Sequence, residues 1–303
     1  MTADLPVVVA SSSRLRRFSH ESYSAASLVE AKGHIQVSVC LPARNEEATV
    51  GRIVEVIRSD LVERTGLVDE VIVADDGSSD ATAIVAERAG ATVVPVDHGP
   101  RYGKGAAMAA ALTASRGEAV VFLDADVQNF GSHFVVGLLG PLFCAPGVGF
   151  VKAAYRRPLC AAPGEGGRVT ELVAKPLLEL LHPALAQFAQ PLAGELATYR
   201  FVIEGLDLPV DYGVDVAMLI DVARRIGIGA LAEVDLDERI HRNRPLAQLA
   251  PQARAVLRAV MARANEGFAP ESYVHADGQK MERLAEDDGD CAPLRLERPT
   301  GRQ

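Results

Sequence analysis

The sequence predicts an α/β fold in which helices cover both faces of a mostly parallel sheet. The first observation is that short apolar segments alternate with segments of helical spacing over residues 35–123. The second is that the apolar segments are uniformly apolar, whereas a strand with one face in water alternates between apolar and polar residues. Strands that are buried on both faces and separated by helices form βαβ units, and the strands of such units run parallel.

The first half of the chain is predicted to contain four strands and three helices. Apolar and β-branched residues mark each strand, and apolar residues three or four positions apart mark each helix. Ser79 or Asp80 is expected to cap the second helix, because both side chains accept hydrogen bonds from a first helical turn. The strands are predicted at 35–41, 70–74, 91–96 and 119–123, and the helices at 48–59, 80–89 and 105–115.

The second half is less regular and richer in helices. Pro176 is expected to bend the first of them, because proline lacks the N–H that continues a helix. Residues 1–33 are predicted to be mobile apart from a short helix over 24–32, and residues 271–303 to form a polar, acidic tail. Strands are predicted at 147–155 and at 232–240, the latter delivering His241, and helices at 169–181, 214–226 and 251–264.

The composition excludes two classes of function. The 303 residues include 31 Lys and Arg against 40 Asp and Glu, a formal net charge of −9. Binding to nucleic-acid phosphates needs clustered positive charge, so no nucleic-acid partner is expected. No segment approaches the ~20 apolar residues of a membrane-spanning helix, so no integral membrane segment is expected. The four cysteines are scattered, which indicates free thiols in a reducing, cytoplasmic compartment.

Polar residues cluster directly after three of the predicted strands. The clusters are 42–47, 75–80 and 124–128. In a parallel sheet of this kind, ligands bind beyond the carboxyl ends of the strands. We therefore expect the three clusters to meet at one edge of the sheet and to form a ligand site there.

Asp124 and Asp126 are candidate ligands for a divalent cation. They lie two residues apart where an apolar strand ends, so both carboxylates can reach one ion. Oxygen ligands suit Mg²⁺ or Mn²⁺, and an ion held there can bind a diphosphate and neutralise charge on a leaving phosphate. Taken alone, the pair is also compatible with two solvated loop residues.

The segment Gly103-Lys104-Gly105 is a candidate anion site because it precedes a helix of small residues. Glycine lets the backbone approach a ligand closely, and the free N–H groups of a helix start attract anions. The spacing is not that of a Walker phosphate-binding loop. Taken alone, the segment is equally compatible with an ordinary connection between a strand and a helix.

The order of these motifs resembles that of nucleotide-sugar glycosyltransferases with the GT-A fold. In that family the first two polar clusters bind the nucleoside of the donor, and the D-x-D motif binds the metal on its diphosphate. Further motifs resemble the retaining glucosyl-3-phosphoglycerate synthases of actinobacteria, and the resemblance covers residues 35–265. These motifs are YRRPL at 155–159, GGRVTEL at 166–172, PLAGE at 191–195, YGVD at 212–215 and HRNRPL at 241–246.

The resemblance implies a nucleotide-sugar donor and a metal, Mg²⁺ or Mn²⁺. It implies that Lys104 approaches the diphosphate and that Asp124, Asp126 and His241 bind the metal. The donor-binding residues that it implies are Pro42, Ala43, Arg44, Glu46, Asp76, Lys104, Asp124, Ala125, Asp126 and Tyr212.

The resemblance also implies 3-phosphoglycerate as the acceptor. Arg168 opens an amphipathic helix after two glycines, and such a helix start with a forked guanidinium suits an anion with a phosphate and a carboxylate. The implied catalytic residues are Asp215, Lys104 and Arg168. The implied acceptor-binding residues are Gly167, Arg168, Val169, Thr170, Asn243 and Arg244.

Two positions depart from the pattern of the family. The family has glutamate where this chain has Asp215, so the carboxylate here is one methylene shorter. The family has leucine where this chain has Arg44, close to the base of the donor. The first departure concerns the reach of a catalytic group, and the second concerns the preference for a donor.

The expected function is metal-dependent, retaining transfer of a hexose, with glucose favoured, to the 2-hydroxyl of 3-phospho-D-glycerate. A GDP-mannose donor and a polyprenyl-phosphate acceptor are alternatives with the same fold, although the latter usually brings apolar membrane-facing segments. A nucleotide-sugar-binding protein without turnover is a third alternative. A nucleotidyltransferase is a fourth, and it would need a glycine-rich signature near the first strand.

The predicted organisation has two subdomains between the terminal segments. Residues 34–150 are expected to form the α/β subdomain that binds the nucleotide sugar, and residues 151–270 the irregular, helix-rich subdomain that binds the acceptor. An apolar surface on the C-terminal helix, together with the family resemblance, suggests a homodimer.

Overall fold

Parallel strands form the centre of the fold in the computed structural model, which describes residues 14–96, 103–157, 167–241, 246–264 and 273–275. The strands within these ranges are β1 Arg16–Ser19, β2 Val37–Ala43, β3 Glu70–Asp75, β4 Thr92–Pro95, β5 Ala119–Phe122, β6 Phe150–Arg156, β7 Leu196–Tyr199, β8 Asp207–Pro209, β9 Leu231–Glu238 and β10 Tyr273–His275. Eight of the described strands form one sheet in the order β1-β9-β6-β7-β5-β2-β3-β4, while β8 and β10 pair separately.

The main sheet is parallel except at β7, which confirms the predicted architecture. β2 lies between β3 and β5 and runs parallel to both, whereas β7 runs antiparallel to β5 and β6. Cys40 in β2 is opposite Ile72 in β3 and Phe122 in β5, and all three side chains are buried. Uniformly apolar strands therefore occupy the interior of the sheet, as their composition predicts.

Helices flank this sheet. The described helices are α1 Ala25–Lys32, α2 Val50–Ile57, α3 Thr82–Arg88, α4 Lys104–Ala114, α5 His133–Cys144, α6 Lys175–Leu181, α7 Arg200–Ile203, α8 Val214–Ile226 and α9 Leu246–Ala264. α4 packs against β2 and β3, and α5 packs against β6, β7 and β9. The predicted helix over 169–181 consists of a π-helical turn over Thr170–Ala174 followed by α6, with Pro176 in the first turn of α6.

Six described elements were not predicted, namely β1, α5, β7, α7, β8 and β10. The expected mobility of residues 1–33 is wrong for β1, which pairs parallel with β9 and whose Arg17 lies 3.3 Å from Glu233. Because Arg17 and Glu233 are 216 positions apart, the local sequence around β1 does not indicate this pairing. α5 lacks an amphipathic period because every residue from Phe134 to Leu142 is buried.

The two predicted subdomains share one sheet. β6, β7 and β9 come from the second predicted subdomain and continue the sheet of the first. The predicted boundary after residue 150 falls inside β6. Residues 1–13 and 276–303 lie outside the described residues, and β10 lies within the predicted polar tail. Among the described residues, no helix combines the length and the apolarity needed to cross a membrane.

The polar clusters meet at the carboxyl edge of the sheet, as predicted. The backbone N–H of Glu46, after β2, donates to Thr82 Oγ1 at 2.8 Å. Thr49 Oγ1 donates to the carbonyl of Ala125, after β5, at 2.6 Å. Asp80 Oδ1 accepts from the backbone N–H of Thr82 at 3.0 Å, but the N-cap residue of α3 is Ala81, so the prediction that Ser79 or Asp80 caps this helix is wrong. These bonds join the three loops into one rim.

Candidate active site

A cleft of about 220 Å³ opens at this rim. Every predicted site residue that the structure describes lines it, whereas Asn243 and Arg244 lie outside the described residues. The predicted residues in the cleft are Pro42, Ala43, Arg44, Glu46, Asp76, Lys104, Asp124, Ala125, Asp126, Gly167, Arg168, Val169, Thr170, Tyr212, Asp215 and His241. The sequence motifs of both halves of the chain therefore converge on one cavity.

Lys104 bridges two carboxylates at the first turn of α4. Its Nζ lies 2.8 Å from Asp124 Oδ1 and 2.8 Å from Asp215 Oδ2. The preceding residue, Gly103, donates its backbone N–H to Asp76 Oδ1 at 3.2 Å. The ammonium group therefore stands beside the acidic pair, next to the position where the sequence predicts a diphosphate.

Arg239 is a site residue that the sequence analysis missed. Its buried guanidinium bridges the acidic pair, with Nη2 2.8 Å from Asp124 Oδ2 and 2.7 Å from Asp126 Oδ1. Nε lies 2.6 Å from Glu195 Oε1. The available signal was its place at the end of the predicted strand 232–240, two residues before His241.

Glu195 and Tyr155 contact Arg239 on the side away from the cleft and fix its position. Glu195 is fully buried, and its Oε2 accepts a hydrogen bond from the hydroxyl of Tyr155 at 2.8 Å. The guanidinium of Arg239 also lies 5.6 Å from the centre of the Tyr155 ring, a cation–π distance. Both oxygens of the buried carboxylate are therefore bonded, and the position of Arg239 is determined by groups beneath the cleft.

The backbone before β7 forms the floor of the cleft. Lys152 is buried and its Nζ donates to the carbonyl of Ala193 at 2.7 Å. The next residue, Gly194, approaches the ion pairs so closely that a Cβ there would lie 2.1 Å from Asp124 Oδ1 and 2.4 Å from Lys104 Nζ. Because no Cβ occurs at such distances, a side chain at this position would force Asp124 or Lys104 to move.

We expect Gly194→Ala to lower kcat/KM at least about tenfold, because the added methyl group must displace Asp124 or Lys104, and to cost about 1–3 kcal/mol of stability through overpacking. Steady-state kinetics and urea unfolding measure the two effects. Gly66→Ala is the matched control, since Gly66 has a φ of +67° and no atom within 4 Å of an added Cβ. That variant should lose stability through backbone strain alone and keep its activity. Unaltered kinetics of Gly194→Ala would contradict the conclusion that the backbone at Gly194 holds Asp124 and Lys104 in place.

Six charged side chains form a continuous network of ion pairs among the described residues. Four carboxylates and two cations give a formal sum of −2. Burial alone would raise the pKa of Asp124, but the charges of Lys104 and Arg239 outweigh burial and hold that pKa below its usual range. The members of the network are Asp124, Asp126, Asp215, Glu195, Lys104 and Arg239. A divalent cation would bring the formal sum to zero.

Asp215 lies in the first turn of α8. Its Oδ2 contacts Lys104 in spite of the shorter side chain. Its Oδ1 is buried and has no hydrogen-bond partner within the part of the chain that the structure describes. Burial raises the pKa of Asp215 against the opposing charges of Lys104 and Lys152. Asp215 lines the cleft, and its unbonded oxygen has the capacity to accept a hydrogen bond from a ligand hydroxyl.

Two carboxylates and an imidazole line the cleft at Asp124, Asp126 and His241, and these are side chains of the types that bind divalent cations. His241 forms an isolated antiparallel bridge with Val127. Burial and the charge of Arg239 lower the pKa of His241 to about 4. The ring is therefore neutral at pH 7, the form that binds metals, and it lines the same cleft as the carboxylate. In this structure no three His, Cys, Asp or Glu side chains among the described residues are grouped as a metal site, and Arg239 engages the acidic pair.

The loops after β2 and β3 form the wall on the predicted donor side. Asn45 has a φ of +56°, and its Oδ1 accepts from the backbone N–H of Ser79 at 2.8 Å. Arg44, the second departure from the family pattern, places its Nη1 3.5 Å from Asp76 Oδ2. Burial raises the pKa of Asp76, although Arg44 opposes the shift. Arg44 therefore neutralises a buried carboxylate that faces the cleft.

Four of the predicted acceptor residues, Gly167, Arg168, Val169 and Thr170, lie at a helix start in the same cleft. Gly167 has a φ of +79°, and its carbonyl accepts from the backbone N–H of Glu171 at 3.0 Å. Thr170 is buried, and Arg168 lines the cleft beside it. A helix start with a guanidinium is suited to an anionic ligand.

A mostly parallel sheet, an acidic pair at its carboxyl edge and a cleft rich in cations define a glycosyltransferase with the GT-A fold. Residues 38–134 match the family model described as "Glycosyl transferase family 2". Beyond this class, the chain belongs to the family of glucosyl-3-phosphoglycerate synthases. The glucosyl-3-phosphoglycerate synthase of Mycolicibacterium paratuberculosis is 44% identical over 261 residues, which cover 82% of this chain and 78% of that protein. This membership excludes the nucleotidyltransferase that the sequence had left open.

Comparison with solved structures supports the same family. Glucosyl-3-phosphoglycerate synthase from Mycobacterium tuberculosis, in complex with Mn²⁺, UDP and glucosyl-3-phosphoglycerate, has a TM-score of 0.76 and 42% identity, covering 82% of this chain and 88% of that one. Mannosyl-3-phosphoglycerate synthase from Rubrobacter xylanophilus has a TM-score of 0.78 and 38% identity, covering 90% of this chain and 94% of that one. The predicted fold and family are therefore confirmed.

Proposed function

We propose that the protein transfers glucose, with retention of configuration, from UDP-glucose to the 2-hydroxyl of 3-phospho-D-glycerate. The product would be glucosyl-3-phosphoglycerate. The observation that carries the proposal is a single cleft that combines the acidic pair and Lys104 with the cationic helix start at Gly167. The M. tuberculosis relative binds Mn²⁺, UDP and glucosyl-3-phosphoglycerate, which supports the same pair of substrates here.

We propose Mg²⁺ or Mn²⁺ as the cofactor, held by Asp126 and His241 with Asp124 beside them. A divalent cation supplies positive charge against the diphosphate of the donor. The formal sum of −2 in the ion-pair network and the neutral ring of His241 support this assignment. The relatives from M. tuberculosis contain Mn²⁺ or Mg²⁺ together with UDP.

The chain's own side chains then have separate tasks. Lys104 adds a fixed positive charge where negative charge develops on the departing nucleoside diphosphate. Arg168 and Thr170 bind the acceptor and orient its hydroxyl, so that positioning supplies a large part of the rate. Asp215 accepts a hydrogen bond from the sugar or from the acceptor hydroxyl through its unbonded oxygen.

A matrix of donors and acceptors tests this function. UDP-glucose, GDP-glucose, UDP-mannose and GDP-mannose are each incubated with 3-phosphoglycerate, with and without Mg²⁺ or Mn²⁺, and release of nucleoside diphosphate is measured. We expect the highest kcat/KM for UDP-glucose and loss of turnover with EDTA. Release that does not depend on 3-phosphoglycerate would overturn the proposed acceptor.

Mannosyl transfer from GDP-mannose is the second candidate. The mannosyl-3-phosphoglycerate synthase of R. xylanophilus aligns with a larger part of this chain than the glucosyl enzyme of M. tuberculosis does. A higher kcat/KM for GDP-mannose than for UDP-glucose in the same matrix would favour this candidate.

We also propose a cytoplasmic location and a homodimer. Among the described residues, Cys40 and Cys144 are free thiols, which suits a reducing compartment. Leu180 on α6 and Leu257 on α9 are exposed, and these two helices contact each other. Exposed leucines on adjoining helices are surface of the kind that subunit interfaces bury.

A further inference from the structure

Arg157 lines the cleft and has hydrogen-bonding capacity that the described residues do not use. It follows β6, and its guanidinium lies 4.9 Å from the centre of the Tyr155 ring. Its Nη2 donates to the hydroxyl of Tyr155 at 2.7 Å. Its Nε is buried and has no hydrogen-bond partner within the described part of the chain. A buried N–H without an acceptor costs free energy, and an anionic ligand would remove that cost.

The position of Arg157 is between the two halves of the cleft. On one side, a Cβ added at Gly167 would lie 3.8 Å from Arg157 Cδ and 3.7 Å from Thr170 Cβ, so these residues surround one space. On the other side, Arg157 shares the ring of Tyr155 with Arg239, at 4.9 and 5.6 Å from the ring centre, and Arg239 bridges Asp124 and Asp126. Arg157 therefore adjoins the predicted acceptor site where that site approaches the acidic pair.

The chemistry of the proposed acceptor places one of its two charges there. In 3-phosphoglycerate the reacting hydroxyl is on C2, the carboxylate is bonded directly to C2, and the phosphate is one carbon further away. When the hydroxyl points at the sugar beside the acidic pair, the carboxylate must lie near it. The phosphate then extends toward the helix start at Gly167. A guanidinium can bind a carboxylate through two parallel N–H groups, a geometry that lysine cannot reproduce.

We infer that Arg157 is a specificity-determining residue that binds the carboxylate of the acceptor through its Nε and a terminal nitrogen. This inference rests on the proposed function. According to this inference, the two anionic groups of the acceptor bind at different places. The phosphate binds at the helix start, and the carboxylate binds to Arg157. A role limited to supporting Tyr155 is the competing explanation, and it makes different predictions.

The test compares Arg157→Gln and Arg157→Lys with wild type, using Arg156→Gln as the matched control. Arg156 is the exposed neighbour of Arg157 at the end of β6. Two acceptor-site ligands are used: 3-phosphoglycerate, and glycerol 3-phosphate, which has the phosphate and the hydroxyl but no carboxylate. The quantities measured are the KM for 3-phosphoglycerate, the Ki of glycerol 3-phosphate against it, the Kd for UDP with Mn²⁺, and the Tm.

For Arg157→Gln we expect a rise of about 10- to 100-fold in the KM for 3-phosphoglycerate, as for loss of a charged hydrogen bond. The Ki of glycerol 3-phosphate and the Kd for UDP should stay within about twofold. Arg157→Lys, which keeps the charge and is the fallback if the glutamine variant does not fold, should raise the same KM by about 5- to 10-fold. Arg156→Gln should match wild type in every measurement.

An unchanged KM for 3-phosphoglycerate in both variants would overturn the inference while leaving the proposed function intact. An equal rise in the KM and in the Ki would also overturn it, because the residue would then act on the phosphate or on the shape of the site. If wild-type protein neither binds nor glucosylates 3-phosphoglycerate, the proposed function fails and the inference fails with it.

Discussion

Asp126→Asn is expected to lower kcat/KM at least about 100-fold while the protein remains folded. The asparagine has the size of the aspartate but lacks its charge, so it weakens the proposed cation site and removes one of the ion pairs of Arg239. A bound cation contributes several kcal/mol to stabilising negative charge, and each ~1.4 kcal/mol is a factor of ten in rate. Most of the loss should appear in kcat, because the charge on the leaving diphosphate develops during the reaction.

Three measurements separate this effect from a general loss of structure. The Kd for Mn²⁺ in the presence of UDP should rise in parallel with the loss of rate, and the Tm should change little. Asp60→Asn is the matched control, because Asp60 pairs with Arg64 on the surface, 3.2 Å apart, away from the cleft. That variant should keep wild-type kinetics. Activity of Asp126→Asn within threefold of wild type at saturating Mg²⁺ would remove Asp126 from the proposed metal site.

The acidic pair and the polar loops could be predicted because their position depends on local sequence. A uniformly apolar strand ends, and the polar residues after it fall at the carboxyl edge of a parallel sheet. Asp76 and Asp124 follow β3 and β5, which are both close to β2. Once the sheet is known to be parallel, the convergence of these loops follows without knowledge of any side-chain contact.

The cations that balance the acidic pair were only partly predictable. Lys104 was found because glycines flank it at a helix start. Arg239 was not, because it lies 115 positions from Asp124 and 113 from Asp126, at the end of a strand with many charged neighbours. Nothing in the local pattern distinguishes it from Arg242, which lies three positions further along. Only the pairing of β9 with β6 brings Arg239 under the cleft.

Glu195 was contained in a motif noticed at 191–195, yet its role depends on burial that the sequence does not show. Its carboxylate accepts hydrogen bonds from two groups, Arg239 Nε at 2.6 Å and the Tyr155 hydroxyl at 2.8 Å. A carboxylate can be buried at this depth only with such partners, because an unpaired buried charge costs several kcal/mol. The carboxylate in turn fixes the guanidinium that bridges the acidic pair.

Glu195→Ala is therefore expected to lower the free energy of unfolding by about 3–5 kcal/mol, the usual cost of breaking a buried ion pair on one side. Arg239 would lose the partner of its Nε, and the hydroxyl of Tyr155 would lose its acceptor. Glu195→Gln keeps one acceptor oxygen and the shape of the side chain, so its loss of stability should be smaller. Urea unfolding followed by circular dichroism measures both variants.

The matched control for these variants is Glu204→Ala. Glu204 lies 3.8 Å from Arg200 on the surface, and surface pairs contribute about 0–1 kcal/mol. If Glu195 has only a structural role, its substitution should lower stability and leave the kinetics of the folded protein unchanged. If Glu195 also positions Arg239, the kinetics should change as well. Folded Glu195→Gln, assayed well below its Tm, should show a reduced kcat and a raised Kd for Mn²⁺ with UDP, since a displaced guanidinium no longer orients Asp124 and Asp126. Wild-type kinetics in that variant would mean that Arg239 is positioned by the acidic pair alone.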